Sequence, residues 1–198
     1  MSDLMNGPEG ATPLEHEELE GLKFKSVTLR PELDQLESIN IESGINWAYK
    51  QKKPDILCEG FLRDLHKKLL GDVWGWAGTF RKTEKNIGVD PLHISVQLRE
   101  LFDNCKAWLE FESYPPLEIA VRFHHLLVKV HPFPNGNGRV SRIMTDLLCT
   151  HNLGIDQIDW LAGHDLQKLG PRRSAYIQAL RAADQYNYTL LMAFASGE

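Results

Sequence analysis

Three cysteines in 198 residues, Cys58, Cys105 and Cys149, are too few and too scattered for a disulfide framework. None of their spacings suits a zinc site, and they are expected to be reduced, mostly buried thiols of a cytoplasmic protein. His124, His125 and His131 do not make up the deficit, because adjacent histidines on a helix point to different faces. The chain also lacks an apolar run long enough to span a bilayer, and its start lacks a signal-peptide pattern, so no membrane partner is expected. Nor is there an excess of basic charge: 22 Lys and Arg face 27 Asp and Glu, for a net charge of −5. Residues 1–40 carry nine of those acidic groups and three basic ones, leaving 18 acidic and 19 basic in the remainder. A near-neutral body of this kind argues against a nucleic-acid-binding surface. No internal repeat is present.

What is present indicates one mainly α-helical domain of ordinary single-domain size. Residues 1–30, with early Gly and Pro and the acidic run Glu15–Glu20, read as a solvated, flexible arm. Pro31 opens a helix to about Lys52 that dominates a 31–55 segment, and residues 56–198 form the core with its C-terminal helices. Within that core, helices are expected over about 59–70, from Pro91 to about Glu112, from Pro171 to about Asp184 and from about Tyr188. Residues 75–91 are turn-rich. The five tryptophans are spread widely and suit core packing.

Residues 131–142, His-Pro-Phe-Pro-Asn-Gly-Asn-Gly-Arg-Val-Ser-Arg, carry the chemistry. Upstream, Ile119, Phe123, Leu126, Leu127 and Val130 mark an amphipathic helix that Pro132 and Pro134 terminate. Downstream, Val140, Ile143, Met144, Leu147 and Leu148 restart the pattern, with Gly154 beyond its end. Asn135-Gly136-Asn137-Gly138 is therefore a tight connection onto a second helix, where glycine permits positive φ and close approach to a ligand. Arg139 and Arg142 lie in the first turn, where the helix dipole favours anions. Two cations there are misplaced unless a phosphate joins them. Outward-pointing arginines, with Arg142 near Asp146, are the plain structural alternative. His131 titrates near neutrality, so beside such a pocket it could take a proton from an attacking hydroxyl. A histidine capping the last helical carbonyls would look the same.

With these residues in view, the segment resembles the signature of the Fic (Fido) family, His-x-Phe-x-Asp/Glu-Gly-Asn-Gly-Arg-x-x-Arg, and its Pro-Asn form resembles the subgroup called "mobile mystery protein B". The resemblance covers about residues 56–194 and implies a Fic-type helical bundle with a small β-hairpin flap. It further implies a protein adenylyltransferase: AMP passes from ATP, with Mg²⁺, to a Ser, Thr or Tyr hydroxyl of a target protein. On that reading His131 is the general base, and Gly136, Asn137, Gly138, Arg139 and Arg142 bind the nucleotide. Ala77–Arg81 and Asn86–Val89 resemble the approach to the flap, and Ile87, Gly88 and Val89 would register the target segment. A simple surface hairpin is the alternative. Tyr176–Arg181 and Tyr188 resemble the family's C-terminal helices and read as packing residues. A toxin-like role with an antitoxin-like partner is compatible with the resemblance.

Asn135 is the departure, because the family has Asp or Glu there as the magnesium ligand. An amide oxygen can coordinate the ion but brings no charge. Weakened metal dependence or rate is the expectation, with Asn135→Asp as its test. Ser38–Ser43 resembles an inhibitory helix motif whose glutamate, here Glu42, would occupy Arg142 in place of the γ-phosphate. An exposed helix glutamate is the alternative. Phosphotransfer or AMP removal on the same scaffold, and a nucleotide-binding module without turnover, are the competing functions.

Overall fold

The computed structural model describes residues 15–160 and 170–197. Its helices are α1 (His16–Leu19), α2 (Arg30–Tyr49), α3 (Glu59–Leu70), α4 (Ile94–Glu110), α5 (Pro116–Val130), α6 (Asn137–Leu148), α7 (Pro171–Asp184) and α8 (Thr189–Ser196). A 3₁₀ turn at Pro91–His93 leads into α4, and a π turn at Cys149–Leu153 continues α6. The mainly α architecture follows the apolar periodicity of the sequence, and prolines open α5 and α7 where a missing N–H costs nothing.

α5 is the central element, lying against α4, α6 and α8. Its apolar side joins Leu62, Leu65, Leu69, Leu98, Phe102, Phe123, Leu127, Met144 and Leu147 in the main core. A second cluster, including Val121, Cys149, Trp160, Tyr176, Leu191 and Phe194, seats the α7–α8 pair on the far side of α5. α2 closes the opposite flank by packing on α3. Gly44 makes that contact possible: a Cβ there would stand 2.7 Å from the Leu69 Cα and the Lys68 carbonyl oxygen. Asn40 secures it, donating to the Lys68 carbonyl at 3.0 Å and accepting the Asp72 N–H at 2.9 Å.

Two expectations change. Residues 15–23 of the supposed arm are tied to the body: Lys23 N–H donates to the Val73 carbonyl, Gly75 N–H to the Gly21 carbonyl, and Leu22 pairs with Trp74 in an isolated bridge. The acidic residues responsible for the flexible reading face a buried lysine, as described below. Residues 1–14 of the arm lie outside the described residues. The β-hairpin is also absent among the described residues. Residues 79–90 form an irregular loop, in which the backbone N–H groups of Arg81 and Val89 donate to the Pro132 and Val130 carbonyls and not across a hairpin.

Candidate active site

His131 sits where α5 ends. Pro132 disfavours a further right-handed helical residue, and His131 takes φ 51, ψ 60, with its N–H still donated to the Leu127 carbonyl at 3.3 Å. The left-handed turn directs the chain back across the core, and Phe133 then plugs it, fully buried. The imidazole is 5 % exposed. Burial, and after it the positive charges of Arg81 and Lys85, pull its pKa down to about 4 against the opposing effect of a hydrogen bond with the Val128 backbone. The ring is therefore neutral at physiological pH and keeps one nitrogen able to accept a proton.

The loop after it is held from behind. Asn137 clamps the turn, its Oδ1 accepting the Phe133 N–H at 2.8 Å and its Nδ2 donating to the Phe133 carbonyl at 2.7 Å. His66 on α3 stacks on the Phe133 ring with centroids 3.7 Å apart. Its Nδ1 accepts the Gly78 N–H at 2.8 Å, so its Nε2 carries the proton and donates to the Asn135 carbonyl at 3.0 Å. Burial holds this histidine down at about 3, which keeps that tautomer neutral. Gly136 has φ 79, which favours glycine, and a Cβ there would meet Leu70 Cδ1 at 2.7 Å, so any side chain would also have to displace Leu70. The first helical bond of α6 runs from Val140 N–H to the Gly136 carbonyl. The amides of residues 137–139 precede it and form the anion-favouring start of the helix.

Arg139 and Arg142 leave this turn in different settings. Arg139, largely buried, reaches back to α2, where Glu37 Oε2 accepts from it at 3.3 Å while Oε1 accepts Trp74 Nε1–H at 2.8 Å. Arg142 interacts with the Tyr176 hydroxyl of α7. That hydroxyl is part of a chain whose direction is fixed from its far end. Thr145 Oγ1 donates to the Ser141 carbonyl at 2.7 Å and so accepts from His124 Nδ1–H at 3.3 Å. His124 Nε2 must then accept the Tyr176 O–H, 2.8 Å away, which leaves the phenol oxygen as an acceptor for Arg142. Burial keeps His124 neutral, at about 3. One turn beyond Arg142, buried Asp146 accepts Trp160 Nε1–H at 2.8 Å, and burial raises its pKa to about 6.

The loop that replaces the hairpin is fastened over His131 by Arg81. This buried guanidinium donates to the carbonyls of His131 at 2.7 Å, Thr83 at 2.9 Å and Val89, and its own N–H donates to the Pro132 carbonyl at 2.9 Å. Gly88, φ 117, lies so close that a Cβ would fall 2.5 Å from Arg81 and 2.9 Å from His131 Cβ. Ile87 and Gly88 are exposed, and Val89 is half-buried with its N–H donated to the Val130 carbonyl at 3.4 Å. Lys85 extends from the same loop into the N-terminal segment and pairs with Glu18 at 2.7 Å.

The structure thus brings His131, Asn135, Gly136, Asn137, Gly138, Arg139 and Arg142 to one turn and places Ile87–Val89 next to it. It does not bring Glu42. That residue is exposed on the outer face of α2, beside Ile39, Ser43 and Trp47, and the α2 carboxylate that reaches a motif arginine is Glu37, on Arg139. The reason is helical phase: Leu33, Glu37, Asn40, Gly44 and Ala48 form the buried stripe of α2, and Glu42 lies off it. A glutamate on that stripe was the available signal. His66, within the apolar positions of α3, was another.

A resident divalent ion does not suit this donor set. No group of three His, Cys, Asp or Glu side chains that could hold a metal ion exists among the described residues. At the position where a carboxylate would be needed, the Asn135 Oδ1 accepts the Gly136 N–H at 2.6 Å.

The Fic/DOC family profile matches residues 56–149, which run from the approach to α3 through the end of α6. Protein adenylyltransferase fic-1 of Caenorhabditis elegans is 32% identical over 112 residues, covering 52% of this chain and 21% of its own length. Protein adenylyltransferase Fic of Drosophila grimshawi is 35% identical over 89 residues, covering 43% and 18%. The chain therefore spans about a fifth of these relatives. In fold it is similar to the N-terminal FIC domain of Bep8 from Bartonella sp. 1-1C, with a TM-score of 0.70 at 15% identity over 89% of this chain and 88% of that one. BepC of Bartonella tribocorum with bound AMPPNP gives a TM-score of 0.65 at 17% identity, over 91% and 96%. With the motif, the turn that presents it and the helical frame around it all in agreement, residues 56–149 match the Fic/DOC family and the chain shares the fold of FIC domains.

Proposed function

We propose that this chain is a protein adenylyltransferase that transfers AMP from ATP to a Ser, Thr or Tyr hydroxyl of another protein. The observation that carries the reading is a neutral, buried imidazole one tight turn before a helix start that bears two arginines. His131 takes the proton of the target hydroxyl as its oxygen bonds to the α-phosphorus. The bond from that phosphorus to the bridging oxygen breaks, and pyrophosphate leaves. The amides of residues 137–139 and the guanidiniums of Arg139 and Arg142 stabilise the charge on the phosphates. Any Mg²⁺ arrives with ATP as part of the substrate. The exposed loop at Ile87–Val89, fixed to His131 through Arg81, is the surface against which an extended target segment aligns. The free thiols Cys58, Cys105 and Cys149 suit a reducing, cytoplasmic setting.

The support is threefold: curated relatives that are protein adenylyltransferases, a similar fold that holds an ATP analogue in BepC, and the assembled motif. Label transfer from ATP radioactive at the α or the γ phosphate, in the presence of a cell lysate, is the test. Protein labelled from the α position, lost in His131→Ala, is expected. Labelling from γ alone would replace this reading with phosphotransfer. Nucleotide binding without any transfer would replace it with a binding module.

A further inference from the structure

We propose that Asn135 reads the nucleotide as a hydrogen-bond donor, and that this site therefore binds metal-free ATP about as well as magnesium–ATP. The inference rests on the ATP site proposed above and concerns how that site recognises charge. Three contacts fix the residue. Its Oδ1 accepts the Gly136 N–H at 2.6 Å, and since a backbone N–H can only face an acceptor, the orientation of the amide is determined. Its main-chain carbonyl accepts His66 Nε2–H at 3.0 Å, and the His66 tautomer is set in turn by the Gly78 N–H. What remains is the Nδ2 amine, two N–H groups at a half-buried position beside the start of α6, and no acceptor among the described residues takes them.

The consequence follows from the company this amine keeps. The turn offers Arg139, Arg142, the amides of residues 137–139 and the Asn135 amine, all of them donors. The carboxylate that reaches it, Glu37, is engaged by Arg139 and Trp74. A phosphate oxygen meets donors only, whereas a cation bridging the phosphates would meet no carboxylate from the loop. An aspartate at this position could keep the bond to Gly136 N–H with one oxygen and turn the other, anionic, toward the ligand. The choice of Asn over Asp thus leaves the loop standing and reverses what it presents.

The test is calorimetric titration of the intact chain with ATP in EDTA and in Mg²⁺, for wild type and Asn135→Asp, with thermal melts to confirm that the variant folds. For wild type the two dissociation constants should agree within about threefold. Asn135→Asp should melt normally, lose at least tenfold in affinity for metal-free ATP, and recover when Mg²⁺ is added. Wild-type binding that weakens more than tenfold in EDTA overturns the donor role and leaves the ATP site standing. No binding of ATP under either condition overturns both.

Discussion

Replacing Glu37 by glutamine should make the protein less stable and its nucleotide affinity higher, and the opposite signs are the diagnostic. Glu37 and Arg139 are both largely withdrawn from water, and the 3.3 Å contact is worth about 5 kcal/mol of direct attraction at an effective dielectric of 20. Glutamine keeps an oxygen for Trp74 Nε1–H, so the change isolates the charge. Removing one partner of a buried pair costs about 3 kcal/mol, the low end for such losses, because Arg139 is left without a counter-charge. For a chain of this size that lowers the melting temperature by about 6–12 °C. A bound triphosphate supplies the missing negative charge, and the penalty paid by the free protein is then relieved on binding. An ATP affinity about 10- to 100-fold higher than wild type corresponds to regaining half or more of it. Melting curves with and without ATP, together with titration calorimetry, measure both quantities. If Glu37→Gln melts lower and also binds ATP more weakly, Glu37 does not compete with phosphate at all, and its role is to aim Arg139.

Three further outcomes follow from the buried polar groups. Because His131 lies at about 4 in the fold, turnover limited by its neutral form should rise through about pH 4 and stay level across pH 6–8; an acid limb near 6.5 would mean that the ring is solvated. Acid should unfold the chain early. His66, His124 and His131 sit at about 3, 3 and 4 when folded, below the unfolded 6.5, so the stability they allow is full above about pH 6.5 and is lost as pH falls. Asp146, raised to about 6, opposes them by one proton. The net uptake of about two protons on unfolding gives a loss of about 2.7 kcal/mol per pH unit between pH 6 and 4, read from urea midpoints at several pH values. A flat profile there would show the histidines accessible to protons in the folded state. Tyr176→Phe removes the acceptor for Arg142 and orphans His124 Nε2, so ATP affinity should fall by about tenfold with a stability loss of about 1–3 kcal/mol. Unchanged affinity would mean that Arg142 holds its position without the phenol.

The bundle was legible in the sequence because its helices announce themselves twice, through apolar spacing and through prolines and glycines at their ends. α3 and α7 begin and end where those signals place them. The 131–142 turn was legible because unusual residues stand in an unbroken run. The irregular loop at 79–90 was not. Gly78, Gly88 and the short apolar stretch between turns suit a hairpin as well as a loop. The deciding interaction is a single arginine whose acceptors lie 49 and 50 residues away, on Val130 and His131. The anchored residues 15–23 were misread for the same reason: a run of glutamates looks solvated until a lysine from a distant loop is buried against it. Glu42 fitted a short motif but stood at the wrong helical phase, and the stripe that carries Glu37 was a stronger guide than the string of letters.

The same distinction explains how Asn135 can stand where a carboxylate is expected without loss of the turn. The loop asks two things of that residue: an oxygen for the Gly136 N–H and a main-chain carbonyl for His66. Asparagine meets both as well as aspartate does, so the architecture exerts no pressure toward the acid. Only the ligand side distinguishes them, and there the difference is a full unit of charge beside a polyphosphate. At about 4 Å and an effective dielectric of 20 that is roughly 4 kcal/mol for each unit of partner charge, opposed to bare phosphate and favourable to a bridging cation. A fold that tolerates either residue leaves the choice to chemistry. Position 135 is therefore where the charge offered to a bound polyphosphate can change while the turn keeps its shape.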